Sequence, residues 1–154
     1  MDVQIGLSEQ GREDSVKAIR RVLAETYALY AKTHSYHWNV TGPRFHSLHN
    51  MFEEQYRDLW DAMDDLAERI RALGHFAPIS SEDMMQGAEI RADNGVPDAD
   101  TMIGNLAKGH EVLSKACKDG IRVAEGHGDE VTVDMLIARA DSSEKTAWML
   151  RSSL

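Results

Sequence analysis

Apolar residues recur at intervals of three and four along most of this sequence, the spacing that places them on one face of an α-helix. The first such segment runs from about Ser8 to His37, and Thr41-Gly42-Pro43 ends it. The second runs from Pro43, a residue suited to a first helical turn, to Gly74, which is a plausible C-terminal cap. Its apolar stripe comprises Phe45, Leu48, Phe52, Leu59, Met63, Leu66, Ile70 and Leu73.

Two further helices follow one long connection in the middle of the chain. Within that connection, Ser80 to Gly87 predicts a short helix, because a capping serine precedes acidic residues. Pro97 and Asp98 open the third long helix, which closes at Gly126-His127-Gly128. The last helix is predicted from about Asp129 to Leu150, with an apolar face of Val131, Met135, Leu136, Trp148 and Leu150. Four long helices with this connection predict an all-α four-helix bundle.

Composition agrees with a single helical domain over residues 1–154, preceded by a short arm at about residues 1–7. The 154 residues are 42% apolar and 28% charged, with only 3 Pro and 11 Gly, so a sandwich or barrel is disfavoured. The 17 Lys and Arg against 26 Asp and Glu give a formal charge of −9. That excess of acid argues against a nucleic-acid partner.

Cysteine content and the start of the chain bear on the compartment. The single cysteine, Cys117, cannot form an intrachain disulfide and is interpreted as a small buried residue. The first ten residues lack the basic start and apolar run of a secretion signal, and no stretch is apolar enough to span a membrane. These features favour the cytoplasm.

Four of the seven histidines fall between positions 34 and 49, and candidate metal ligands continue along the second helix. His49 and Glu53 lie one turn apart on a shoulder of its apolar stripe, and Asp64 and Glu68 repeat that spacing. Two like charges one turn apart cost a few tenths of a kcal/mol unless a cation lies between them. Either pair alone is weak evidence, since Glu53 could pair with Arg57 and a shoulder histidine is usually half-buried.

Three other acids on this helix lie on the opposite side of the stripe and are interpreted as solvated surface: Asp58, Asp61 and Asp65. Asp65 has Arg69 one turn later as an expected partner.

The distance between the two pairs excludes a site closed by one copy of this helix. His49 and Asp64 are 15 residues apart, which is about 22 Å along an α-helix. The midpoint between positions 49 and 68 is also the midpoint between positions 53 and 64. If two copies of the helix pair antiparallel about a two-fold axis at that midpoint, each His-Glu pair lies opposite the Asp-Glu pair of the other copy. Two identical sites per dimer would result. The Glu-x-x-His motif of intrachain di-iron bundles is absent from the sequence.

Several motifs resemble those of one family. The segment from Lys32 to Gly42 reads KTHSYHWNVTG, and Phe45, Leu48-His49, Phe52-Glu53 and the run from Asp64 to Gly74 follow in order. This pattern, with the helix order and the ending from Glu144 to Leu150, resembles the Dps-type mini-ferritins, the DNA-binding proteins from starved cells. The resemblance covers nearly the whole chain and implies a ferritin-like bundle.

The resemblance implies a ferroxidase centre made by two chains. One subunit would supply His37, His49 and Glu53, and a two-fold neighbour would supply Asp64 and Glu68. Trp38 matches an aromatic residue kept beside the iron, where it either intercepts oxidising equivalents or packs. His34 is interpreted as structural, and the remaining histidines, His46, His75, His110 and His127, are not expected to be ligands. Imidazole and carboxylate suit Fe(II) and leave Zn, Co and Mn able to bind.

The family further implies that Fe(II) is oxidised by hydrogen peroxide in preference to dioxygen. Ferric oxyhydroxide would be stored in a hollow shell of twelve subunits with tetrahedral symmetry. Acids at symmetry axes would concentrate cations at entry pores, and the candidates are Glu130, Asp134 and Asp141.

Two alternatives are a nucleoid protein that coats DNA and a shell that stores iron without an active centre. In residues 1–15, Arg12 is the only basic residue against four acids, so weak or absent DNA binding is expected at physiological salt. The complete set of five ligands argues against the inert shell.

Overall fold

The computed structural model describes residues 2–154, and within that range every regular element is a helix. The helices are α1 (Glu9–Asn39), α2 (Phe45–Ala72), α3 (Ser81–Met84), α4 (Ala99–Gly126) and α5 (Glu130–Arg151). The predicted all-α bundle of four long helices, with a short extra helix in the long connection, is therefore confirmed.

The helix starts follow the capping residues of the sequence. The Ser8 side chain accepts a hydrogen bond from the Gly11 amide at the start of α1, and Asp98 does the same for Thr101 at the start of α4. Such caps satisfy backbone donors that have no partner inside the helix. At the end of α2, Gly74 adopts a positive φ of 90°, which few other residues tolerate, so the predicted cap is confirmed.

Some predicted boundaries were wrong by a few residues. Pro43 lies in a turn ahead of α2 and not in its first helical turn, because the helix begins only at Phe45. The short helix ends at Met84 and continues to Gly87 as a turn.

The core lies where α1 packs against α2 and α4, and where α4 packs against α5. Its largest fully buried side chains come from three of these helices: Ile19, Leu23, Leu29, Phe52, Leu59, Leu66, Ile70, Met102, Ile103, Leu106 and Leu113. Close approach between helices depends on two α4 glycines. A Cβ at Gly109 would lie 2.6 Å from Leu29 Cδ1, and one at Gly120 would lie 2.8 Å from Leu136 Cδ1.

The helix pair α2 and α5 meets through polar contacts. The Arg139 guanidinium donates two hydrogen bonds to the Asp58 carboxylate, at 2.7 and 3.2 Å, and Arg69 pairs with Asp129 at 2.7 Å. Asp58 is exposed, as predicted from the sequence, and is also the ion partner of Arg139. The predicted pairing of Asp65 with Arg69 was wrong, because Arg69 pairs with Asp129. The pattern of a single helix cannot show partners that lie 60 or more residues away in sequence.

The apolar face predicted for α5 was correct only in part. Leu136 and Leu150 are buried, whereas Val131 and Trp148 are more than half exposed. The buried face of α5 also contains small and polar residues, which a hydrophobicity pattern does not detect: Thr132, Ala140, Ser143 and Ala147.

The long connection between α2 and α4 is held against α1 by buried polar groups. The Glu25 carboxylate is fully buried and accepts the amide hydrogens of Glu89 and Ile90. The Tyr36 hydroxyl donates a hydrogen bond to the Asp93 carboxylate at 2.6 Å, which adds a second contact between α1 and the connection. Across residues 2–154, none of the helices has the length and apolar character needed to cross a membrane.

Candidate metal centre

The end of α1 and the start of α2 bring two histidine rings into contact. The rings of His37 and His49 stack with their centroids 3.8 Å apart and their planes 16° from parallel. His37 lies in the last turn of α1, and His49 lies in the second turn of α2. The turn at residues 40–44 reverses the chain between them and so sets this contact.

Reciprocal hydrogen bonds fix the tautomer of both rings. His37 Nδ1 lies 2.7 Å from the backbone oxygen of His49, and His49 Nδ1 lies 2.7 Å from the backbone oxygen of His37. A carbonyl oxygen only accepts, so each Nδ1 must carry the hydrogen and donate it. Each neutral ring then keeps an unprotonated Nε2, the form that binds a metal ion.

Glu53 lies next to these rings on α2. Its Oε1 lies 4.0 Å from His37 Nε2, too far for a hydrogen bond but slightly less than two metal–ligand bonds of about 2.1 Å each. The same oxygen lies 3.7 Å from an Arg57 nitrogen. Arg57, the ion partner considered from the sequence, is thus as near to Glu53 as the histidine that the family resemblance adds to the site.

Asp64 and Glu68 lie further along α2, both exposed, and neither forms an ion pair within residues 2–154. Asp64 borders a hollow shared with Tyr27, Trp60 and Met84. About 22 Å of helix separates the Asp64 pair from His49. Within residues 2–154, no group of three or more His, Cys, Asp or Glu is placed to hold a metal ion, and this includes the set of His37, His49 and Glu53.

The histidine half of the centre is bordered by aromatic side chains. The Trp38 side chain is 65% exposed, and its ring centroid lies 4.1 Å from that of His34. The His34 ring also stacks on Tyr56 at 3.9 Å and forms a hydrogen bond with the Tyr30 hydroxyl. Burial is the main cause that lowers the pKa of His34, and charge interactions with the ionisable side chains of His37 and Arg57 lower it further. Packing on three sides suits a structural role for His34.

The structure does not gather the other predicted residues into this centre. The proposed pore acids Glu130, Asp134 and Asp141 are exposed on α5. His110 is buried in α4 near Arg139 and Asp58, and burial lowers its pKa to about 4. Cys117 is buried, as predicted from the sequence.

Sequence reasoning missed Tyr56 and treated Tyr30 only as part of an apolar stripe. The sequence signal for this aromatic cluster is a spacing of four residues between aromatic side chains. It occurs on α1 at Tyr30, His34 and Trp38, and on α2 at Tyr56 and Trp60. That interval stacks side chains on one helix face.

The sequence of this chain is similar to those of known proteins over most of its length. The model of the ferritin-like domain family matches residues 16–154. A low temperature-induced protein of Nostoc, itself uncharacterized, is 38% identical over 97% of this chain and 85% of its own length. DNA protection during starvation protein 2 of Bacillus anthracis is 32% identical over 90% of this chain and 95% of its own.

A solved structure shows the same fold. The Dps protein of Vibrio cholerae, described as a member of a broad superfamily of ferritin-like diiron-carboxylate proteins, superposes with a TM-score of 0.92 at 31% identity. The match covers 99% of this chain and 96% of that one. The likeness therefore extends over all five helices.

Proposed function

The chain belongs to the Dps-type mini-ferritins of the ferritin-like superfamily, and from this membership we propose that it oxidises ferrous iron and stores the ferric product. The family is associated with iron storage and with protection of DNA during starvation. The proposal for this chain is more specific: a ferroxidase whose substrate is Fe(II), with hydrogen peroxide as the preferred oxidant over dioxygen.

The reciprocal histidine hydrogen bonds are the observation that carries the proposal. They leave the Nε2 lone pairs of His37 and His49 free to bind a metal ion, and the His37 Nε2 lies 4.0 Å from a Glu53 carboxylate oxygen. Two neutral imidazoles with carboxylates form a donor set that suits Fe(II) and also admits Zn, Co or Mn. Because the rings are already in the binding tautomer, little reorganisation is needed on binding.

We propose that the partner subunit's Asp64 and the partner subunit's Glu68 complete the centre. The reasons are the shared midpoint of the two pairs on α2 and the exposure of both acids without an ion partner in the described chain. The α2 side of the molecule also exposes large aromatic side chains, Trp38 and Trp60 among them. A two-fold interface would cover such apolar surface.

The chemistry assigned to each group follows from its charge. The carboxylates of Glu53, Asp64 and Glu68 would offset the charge of the bound ferrous ion and of the ferric product, which carries one more positive charge. His37 and His49 bind only when Nε2 is unprotonated, so acid opposes iron binding. Peroxide needs two electrons, and two ferrous ions supply one each, which limits release of hydroxyl radical from the protein.

The proposed assembly is a homo-oligomer, as the Dps structures suggest, and specifically a hollow dodecamer of tetrahedral symmetry in the cytoplasm. Iron would enter through pores lined by acids that concentrate cations, with Glu130, Asp134 and Asp141 as candidates. The ferric oxyhydroxide would collect inside.

Protection of DNA would come from removing iron and peroxide and not from coating the nucleic acid. The chain has a formal charge of −9, which repels phosphate. We expect weak or absent binding of duplex DNA in a gel shift at about physiological salt. A retarded band that persists at that salt would support the nucleoid-coating alternative.

The direct test is peroxide-driven oxidation of Fe(II), followed by absorbance of the ferric product, with particle size measured on the same sample. We expect rapid oxidation by a particle of about twelve subunits. The His49→Ala variant should lose most of the rate because one Nε2 ligand is gone. His46→Ala is the matched control, since His46 is an exposed histidine one turn earlier on α2. Equal rates in the two variants would contradict the proposed centre.

A further inference from the structure

A continuous array of aromatic rings crosses the face where α1 packs on α2. From Trp38 the array passes to His34, with ring centroids 4.1 Å apart, and from His34 to Tyr56 at 3.9 Å. Tyr30 lies 5.6 Å from His34 and 6.1 Å from Tyr56. The array ends at Trp60, whose ring centroid is 5.4 Å from that of Tyr30.

The two ends of this aromatic array lie at different half-sites. Trp38 adjoins His37 in sequence, at the histidine half of the centre. Trp60 lies one helical turn before Asp64 and borders the same hollow, at the acidic half. In the proposed two-fold dimer, those halves belong to different centres. One chain's array therefore leads from one centre to the other, and the partner's array makes the same connection in the opposite direction.

We propose that the aromatic array carries single electrons between the two iron centres of a dimer, an inference that rests on the proposed function. Indole and phenol side chains can be oxidised by one electron and reduced again. Rings at these separations exchange electrons readily, whereas a direct step over the length of helix between His49 and Asp64 would be slow.

The array would allow the second electron that peroxide requires to come from the other centre. At the first centre, one Fe(II) gives an electron to hydrogen peroxide, the O–O bond breaks, and hydroxide and a hydroxyl radical form. The radical takes a hydrogen atom from the Trp38 indole, which yields water and an indolyl radical. An electron from Fe(II) at the second centre then passes through Trp60 and Tyr30 and, with one proton from solvent, restores Trp38.

The steps balance. Two Fe(II), one hydrogen peroxide and two protons become two Fe(III) and two water molecules, and the second proton neutralises the hydroxide. No radical leaves the protein, and no side chain is consumed.

Tyr30 is also hydrogen-bonded inside the array. Its hydroxyl lies 3.0 Å from His34 Nδ1, and this contact holds the two side chains together at the middle of the array.

The first test uses the metal-free assembled protein, so that electron transfer along the array is measured without iron. All measurements carry Trp148→Phe, which leaves Trp38 and Trp60, the two ends of the array, as the only indoles. Azidyl radicals from pulse radiolysis oxidise the indoles, and absorbance follows the conversion of tryptophanyl to tyrosyl radical. Adding Tyr30→Phe and Tyr56→Phe should slow tryptophanyl decay by about tenfold. Phenylalanine keeps the ring packing but is not oxidised under these conditions.

Tyr27→Phe is the matched control, because Tyr27 is on the same helix but makes none of these ring contacts within residues 2–154. It should leave the decay unchanged. An unchanged decay in the double variant, with particle size intact, would overturn the proposal.

The second test loads Fe(II) and adds peroxide in the presence of a spin trap for hydroxyl radical. The double variant should still oxidise iron but release severalfold more trapped radical than the parent and the Tyr27→Phe control. Equal radical yields would overturn the proposed electron transfer. If the parent itself does not oxidise iron, the proposed function fails, and the metal-free measurement still reports whether the array conducts.

Discussion

His110 makes stability depend on pH through a group far from the metal ligands. It is 2% exposed in α4, and neither ring nitrogen has a hydrogen-bond partner within the described chain. Asp58 of α2 and Arg139 of α5 are the charged groups that act on it. Burial, reinforced by the Arg139 charge, lowers the pKa of His110 from 6.5 to about 4. The perturbation is His110→Leu, which removes the titrating ring and keeps an apolar side chain.

The lowered pKa of His110 decides in which direction stability changes with pH. Between about pH 6.5 and 4 the unfolded chain binds a proton at this histidine and the folded chain does not, so stability is full above that window and is lost as the pH falls. With those two pKa values, the loss is about 1 kcal/mol at pH 6 and about 2 kcal/mol at pH 5. It approaches about 3 kcal/mol below pH 4.

The assay is chemical unfolding of the parent and His110→Leu at a fixed protein concentration, at several values between about pH 8 and pH 5. The difference in unfolding free energy isolates His110 from the carboxylates that titrate in both proteins. Relative to its value at pH 8, the difference should shift in favour of the variant by about 2 kcal/mol at pH 5. His46→Gln, at an exposed position, should show no such trend. A difference that stays constant with pH would show that the His110 pKa is not lowered by folding.

Two further predictions concern the α2–α5 contact and the buried thiol. Arg69→Met should lower the unfolding free energy by about 3 kcal/mol, because it leaves the buried Asp129 carboxylate without its cation. Chemical unfolding checks this, and a loss no larger than that of the exposed Arg71→Met would contradict it. Cys117 should resist a thiol reagent in the folded protein and react once after unfolding, because burial raises its pKa to about 12. Rapid labelling of the native protein would show that the thiol is accessible.

The sequence predicts the helices of this chain well because their signals are local. Ser8, Asp98 and Gly74 act on backbone groups within one turn, and the apolar stripes of α1, α2 and α4 follow the helical period. The apolar stripe predicted for α5 was correct only in part. Its buried face includes Thr132 and Ser143, and a pattern of hydrophobicity alone does not identify buried hydroxyl residues.

Contacts between distant segments were not predictable in the same way. Asp58 has the spacing of a surface acid on α2, and only the position of α5 shows that it binds Arg139. The stacking of His37 on His49, with each Nδ1 held by the other residue's carbonyl, depends on the turn between α1 and α2. The motif resemblance supplied His37 as a candidate ligand, and the structure supplies its geometry. Asp64 and Glu68 stay a prediction, since their proposed role depends on a second chain.

The central claim is that each iron centre is built by two subunits, and mixing inactive variants tests it most directly. His49→Ala and Asp64→Ala are each expected to be inactive, because each breaks every centre in its own homodimer. After dissociation and reassembly of an equal mixture, half of the dimers are mixed, and each mixed dimer has one intact centre of two. Peroxide-driven Fe(II) oxidation should therefore recover to roughly one quarter of the parent rate. Mixtures that form particles of the correct size and recover no activity would contradict the account.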